Sequence, residues 1–75
     1  MHEQKLIIID SRMETLSTAR LRKELTHIDI EHTKIKEVPD VGIMPNVVSM
    51  KVPNGCRVNI DHYPKLKIFN GNVFG

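Results

Sequence analysis

Val41-Gly42-Ile43-Met44-Pro45-Asn46-Val47-Val48 sets the reading of the whole chain. An apolar pair, Ile43-Met44, leads into Pro45, and a β-branched run leaves it at once. Cis peptide bonds are essentially confined to proline, and one that precedes a core strand is usually there for a reason. Two readings of Pro45 follow. It introduces a core strand over a cis bond and faces a partner, or it is an ordinary trans proline opening an edge strand. Either way, residues 46–52 read as a strand.

Upstream, Lys5-Leu6-Ile7-Ile8-Ile9-Asp10 is a short continuous apolar run. It reads as a central parallel strand buried on both faces. Residues 11–25 read as a helix. Asp10 or Ser11 caps it, Glu14 completes a capping-box pattern, and Arg20, Arg22 and Lys23 suit its C-terminal half. Its apolar face is split: Met13, Leu16 and Ala19 fall on one side, Leu21 and Leu25 nearly opposite. His27-Ile28-Asp29-Ile30-Glu31-His32 alternates with period two, so Ile28 and Ile30 share one strand face and His27, Asp29 and Glu31 the other. Residues 33–42, with Pro39 and Asp40-Val41-Gly42, form a connector with room for one helical turn.

Downstream, Pro53-Asn54-Gly55 is a hairpin signal, because Asn-Gly supplies positive φ angles. Residues 56–60 are then expected to pair antiparallel as a fourth strand. Asp61 caps a closing helix with Pro64 in its first turn, running through Leu66 and Phe69. Asn70-Gly71-Asn72 ends that helix, and 73–75 is a tail. No internal repeat is read, and 1–75 reads as one domain.

Composition narrows the function. A chain of 75 residues builds one small core. With 40% hydrophobic and 27% charged residues it is globular rather than disordered. A net charge of +2 and only three aromatics, Tyr63, Phe69 and Phe74, argue against a nucleic-acid partner. The single cysteine, Cys56, excludes an intrachain disulfide and fits a reducing compartment. No apolar run reaches transmembrane length and no signal-peptide pattern is present, so a cytoplasmic location without membrane contact is expected.

The order β-α-β, connector, proline-led hairpin and terminal helix resembles the glutaredoxins, small thioredoxin-like proteins, especially their phage-type members. The quoted stretch around Pro45 and the following Pro53-Asn54-Gly55 carry most of the likeness, with Ala19-Arg20 and Ile28-Asp29-Ile30-Glu31 adding to it. The resemblance implies an α/β thioredoxin-like domain: a mixed sheet of about four strands, two helices, and a reduced second family helix. The chemistry does not carry over. The family's two cysteines would fall at Met13 and Leu16, or, one residue earlier, at Arg12 and Thr15, and neither pair offers a thiolate nucleophile. Asp10 stands near the position of the family's glutathione-binding basic residue, and its Gly-Gly is replaced around Asn59 and Ile60.

What the resemblance leaves is a docking surface. The backbone beside the family's cis-proline pairs with an extended segment of a partner, a role that would fall here on Ile43, Met44 and Pro45, with Met13 and Leu16 beside them. The expected function is a non-catalytic protein-binding module, in the manner of a small phage-encoded inhibitor or modulator of a larger cellular protein, with self-association through the same face a further expectation. Two alternatives stay open. Cys56 would serve a degenerate thiol-dependent redox protein, and Arg20, Arg22 and Lys23 would form a basic surface for nucleic acid. His27, Asp29 and Glu31, with His32 and His62, lack zinc-type spacing and read as a solvated surface, so neither metal nor cofactor is expected.

Overall fold

Three stretches of the chain share one local design. Arg22-Lys23-Glu24-Leu25, Met44-Pro45-Asn46-Val47 and Tyr63-Pro64-Lys65-Leu66 each form a tight turn. Leu25 N–H donates to Arg22 O, and Leu66 N–H to Tyr63 O, both at 3.1 Å. Pro45 and Pro64 take the second position of their turns, where a fixed φ near −65° is already the required angle. Each turn ends on a buried apolar residue: Leu25, Val47 and Leu66.

A computed structural model of the chain describes residues 3–73. It places a strand behind each of these turns. β1 (Lys5–Asp10), β2 (His27–Thr33), β3 (Ser49–Lys51) and β4 (Ile68–Phe69) run parallel in that order, and β5 (Asn72–Val73) closes the sheet antiparallel to β4. Lys5, His27, Ser49 and Ile68 stand side by side, so the strands recur at positions 5, 27, 49 and 68, in steps of 22, 22 and 19. The chain is a coil of stacked turns, one short strand per turn. Units of this kind bury their apolar residues against their neighbours.

The core runs down the inside of the coil. Leu6, Ile28, Met50 and Phe69 form one row across the sheet. The next inward residues, Ile8, Ile30 and Val52, are buried beside them. From the far wall come Leu16, Leu21, Ile35, Val38, Met44 and Tyr63. Thr33 is the one polar residue among them, and its hydroxyl is satisfied: it donates to Ile30 O at 2.7 Å and accepts from Ile35 N–H at 3.3 Å.

This architecture overturns the expected α/β thioredoxin-like fold. The sheet has five strands, and among the described residues the only helical pieces are two 3-10 turns, Thr18–Arg20 and Ile60–His62. The split apolar pattern of 11–25 explains the missing first helix. Leu16, Leu21 and Leu25 are all buried, which a straight helix could not arrange and a chain wrapping around a core can. Asp10, an apparent helix cap, serves a tight turn instead, and Ser17 caps the short 3-10 turn that follows. The Asp10 carboxylate accepts from Arg12 N–H at 3.0 Å, and Ser17 Oγ accepts from Ala19 N–H at 3.3 Å.

The expected closing helix is likewise replaced, by a 3-10 turn, the Pro64 turn and β4. A 22-residue repeat exists where none was read. β1 is an edge strand rather than a central one, and its outward isoleucines hid the alternation that would have revealed this.

The two Asn-Gly pairs exchange roles. Gly55 has φ +79° while Asn54 is not left-handed, the pattern of a type II turn, with Cys56 N–H donating to Pro53 O at 3.1 Å. The chain then continues around the coil, and Arg57 forms a parallel bridge with Glu37 instead of an antiparallel fourth strand. The hairpin lies at Asn70-Gly71. Both residues are left-handed, at φ 51° and 82°, as a type I′ turn requires, and they join β4 to β5. Of the two readings of Pro45, the cis one falls: no peptide bond is cis among the described residues.

Ile30 is fully buried in β2, with paired strands on both sides. Ile30→Ala should lower unfolding free energy by about 2–5 kcal/mol, a large part of the stability of so small a domain. In urea denaturation the midpoint should fall while the slope stays constant.

Candidate functional site

The residues expected to meet a partner are mostly not available to one. Met44 has no exposed surface and Leu16 is buried; both belong to the core. Met13 and Pro45 are half-buried, and only Ile43, 49% exposed, faces solvent. The backbone is occupied as well. Met44 N–H donates to His62 O at 2.8 Å, and Ile43 O accepts from Lys23 Nζ at 2.6 Å. A strand added beside Met44-Pro45 would have to displace bonds that hold the second turn of the coil to its neighbours.

The basic cluster is divided in the same way. Lys23 Nζ donates to Val41 O and Ile43 O at 2.7 and 2.6 Å, and its carbonyl accepts from Asn46 Nδ2 at 3.1 Å. Arg22 Nη2 donates to Gln4 Oε1 at 3.4 Å. Lys23 thus clamps one turn of the coil to the next, and Arg22 ties the first to the strand entry at Gln4. Arg20 alone of the three is exposed with no such bond among the described residues, at the end of its 3-10 turn.

Cys56 is half-buried behind the Pro53-Asn54-Gly55 turn. Burial pushes its thiol above the ordinary range and the nearby Glu37 carboxylate adds to this, while a hydrogen bond from the Val38 backbone works the other way. Less thiolate at neutral pH is the opposite of what redox catalysis needs. Tyr63 behaves alike: burial raises its phenol first, then the charges of Asp40 and Cys56. His62 Nδ1 lies 3.0 Å from Asp40 Oδ1, which also accepts from Gly42 N–H at 2.9 Å. This pair fastens the second turn to the third. Among the described residues no three His, Cys, Asp or Glu side chains converge as a metal site would require.

The surface left open is the outward face of the sheet. Lys5, His27, Ser49, Ile68 and Val73 form one row across it, and Ile7, Asp29 and Lys51 the next. Asp29 stands directly opposite Lys51, a favourable cross-strand pairing of charges. A hollow of about 230 Å³ lies among Lys5, Ile7, His27, Asp29, Ser49 and Lys51. Ile7, Ile9, Ile68 and Val73 are 57, 77, 41 and 90% exposed around it. A larger hollow of about 740 Å³ beside the Pro64 turn is floored by Val48, Ile60 and Leu66 and edged by Asp61, Lys65 and Lys67. In the first, Ser49 stands opposite His27 with Asp29 near by, but among the described residues no hydrogen bond joins the Ser49 hydroxyl to His27, whose Nδ1 lies 2.8 Å from Thr26 Oγ1 instead. The β2 alternation pointed to His27 and Asp29. Ile7, Ser49 and Lys51 join them only once the 22-residue register is known.

No family model matches the chain, and no curated protein or solved structure matches it either. None of the described helical segments is long and apolar enough to cross a membrane.

Two outcomes are expected. Lys23→Met removes two charge-assisted bonds at an exposed position and should cost about 1 kcal/mol in urea denaturation, with less effect at high salt. The second concerns alkali. Cys56 and Tyr63 hold their protons more tightly folded than unfolded. Their contribution is complete below the ordinary thiol and phenol values, about 8.5 and about 10, and is lost as pH rises through the raised folded values. The denaturation midpoint should therefore fall above about pH 9, and Tyr63→Phe should flatten that decline.

Proposed function

We propose that this chain is a non-catalytic protein-binding module that docks on a larger protein through the outward face of its sheet and modulates it. One observation carries this reading. The coil buries one side of its sheet and covers the other with nothing among the described residues, leaving four large apolar side chains around a charged centre. Exposed apolar patches edged with polar groups usually mark interaction sites. Stacked-turn folds present such surfaces readily, because their cores do not use them.

The nature of the face supports a protein partner over a small molecule. Its hollow, about 230 Å³, is small and mixed in polarity, whereas small-molecule sites run to roughly 300–1,000 Å³ and are mostly apolar. His27, Asp29 and Lys51 supply directional contacts, and Ile7 and Ile68 supply desolvated area. The raised Cys56 thiol and the engaged Lys23 weigh against the redox and nucleic-acid alternatives.

Reversing the central charges tests this reading. Asp29→Lys and Lys51→Glu change the outward face and leave the core intact. In affinity capture from a native extract, each should lose the proteins retained by the wild type, while Glu24→Lys, on an exposed turn, should keep them. If both face variants retain the same proteins as wild type, the outward face is not the docking surface.

A further inference from the structure

We propose that β1 pairs edge to edge with β1 of a second copy of this chain, antiparallel across a two-fold axis. β1 is the outermost strand, and among the described residues nothing pairs with its free side. His27 N–H donates to Gln4 O at 3.1 Å, which fixes the phase of the ladder. Gln4, Leu6 and Ile8 turn their backbone groups toward β2; Lys5, Ile7 and Ile9 turn theirs to the open edge.

The edge is lightly protected. Six residues long, it has no proline, and its only charges sit at its two ends. The register irregularity beside Ile7 and Ile9 places its extra residue in β2, where residues 29 and 32 face residues 7 and 9, so β1 itself stays regular. The opposite edge of the sheet is different. There the chain folds back through Asn70-Gly71, and β5 is only two residues long.

The end charges bear on the direction of pairing, with Lys5 Nζ also 3.3 Å from Glu3 Oε2 of its own chain. Lys5 opens β1 and Asp10 closes it. Antiparallel pairing of two copies brings each Lys5 end to the other's Asp10 end, whereas parallel pairing sets like against like. With Ile7 on the two-fold axis, Lys5 lies opposite Ile9 of the second copy. Ile7 and Ile9 from both chains, 57 and 77% exposed in one copy alone, then meet as one cluster on the outward face. Such a contact is self-complementary and closes on itself.

Sedimentation of the purified chain over a micromolar to submillimolar series tests the proposal without any partner. The wild type should pass from one chain to two and no further. Ile9→Lys sets lysines opposite each other at both ends and should abolish the dimer. Lys5→Glu combined with Ile9→Lys should restore it. Backbone exchange gives a check that needs no variant: the Lys5 and Ile7 amides should gain protection as concentration rises, while Leu6 should not change. A wild type that stays single throughout, or assembles without limit, would overturn the proposal. So would an Ile9→Lys chain that dimerises as before, a double variant no better than the single one, or Lys5 and Ile7 amides insensitive to concentration. Because no docking partner is present, these results are separate from the capture experiment on Asp29 and Lys51.

Discussion

One repeated backbone contact sets the pitch of the coil. Gln4 O accepts from Thr26 and His27 N–H at 2.8 and 3.1 Å. Thr26 O accepts from Val48 and Ser49 N–H at 2.8 and 3.4 Å, and Val48 O from Lys67 and Ile68 N–H at 2.9 and 3.1 Å. Each carbonyl sits just before a strand and receives the entry of the next. The contact fixes strand spacing, parallel direction and register together. A slip by one residue would turn Ile28 and Ile30 outward and His27 and Asp29 into the core. The apolar pattern and the ladder therefore enforce the same alignment, which is how a short chain specifies one structure.

Everything between the strands follows from closing a turn in about 20 residues. A connection of that length has to leave the sheet, cross behind the core and return. A long helix would present only one stripe to a core that lies all along the inner side of the path. Short turns, 3-10 pieces and extended segments instead let Leu16, Leu21 and Leu25 reach inward in succession. The price is backbone without regular partners, and neighbouring turns supply them: Lys34 N–H to Met13 O, Arg57 N–H to Lys36 O, Val38 N–H to Arg57 O, and Met44 N–H to His62 O. Side chains finish the task, Lys23 on the carbonyls of Val41 and Ile43 and Asn70 Oδ1 on Val52 N–H at 2.8 Å.

The sequence makes β1 and β2 legible and conceals the coil together with β4 and β5. The bounds of β1 and β2 in sequence and structure nearly coincide, because an isoleucine run and a period-two alternation are direct consequences of strand geometry. The local helix signals, Ser11 with Glu14 and Asp61 with Pro64, are ones that tight turns use equally well. The decisive pattern was longer-ranged: Leu25, Ile28 and Ile30 recur as Val47, Met50 and Val52, and Met44-Pro45 recurs as Tyr63-Pro64. Unequal steps of 22 and 19 residues and divergent side chains hide that recurrence. The same hidden recurrence decides where Met44 lies. Met44 looked available beside a special proline, yet a residue leading into a repeated turn is the one that closes the core.

Where the chain can interact follows from what its backbone leaves unsatisfied. Inside the coil each turn meets the next, so free hydrogen-bonding groups collect at the two ends of the stack. The C-terminal end is closed by a type I′ hairpin whose strands are too short to template another. At the other end β1 keeps, among the described residues, a full row of outward donors and acceptors beside exposed isoleucines. The outward face differs in kind: its backbone is paired, and only its side chains are free. Contacts there depend on shape and charge, those at the β1 edge on strand geometry. The two surfaces adjoin at Lys5 and Ile7, so a second copy at the edge would extend the outward face rather than obstruct it. It would present two hollows of opposite orientation to a larger partner, and simultaneous engagement of both would raise affinity without any new contact within either copy.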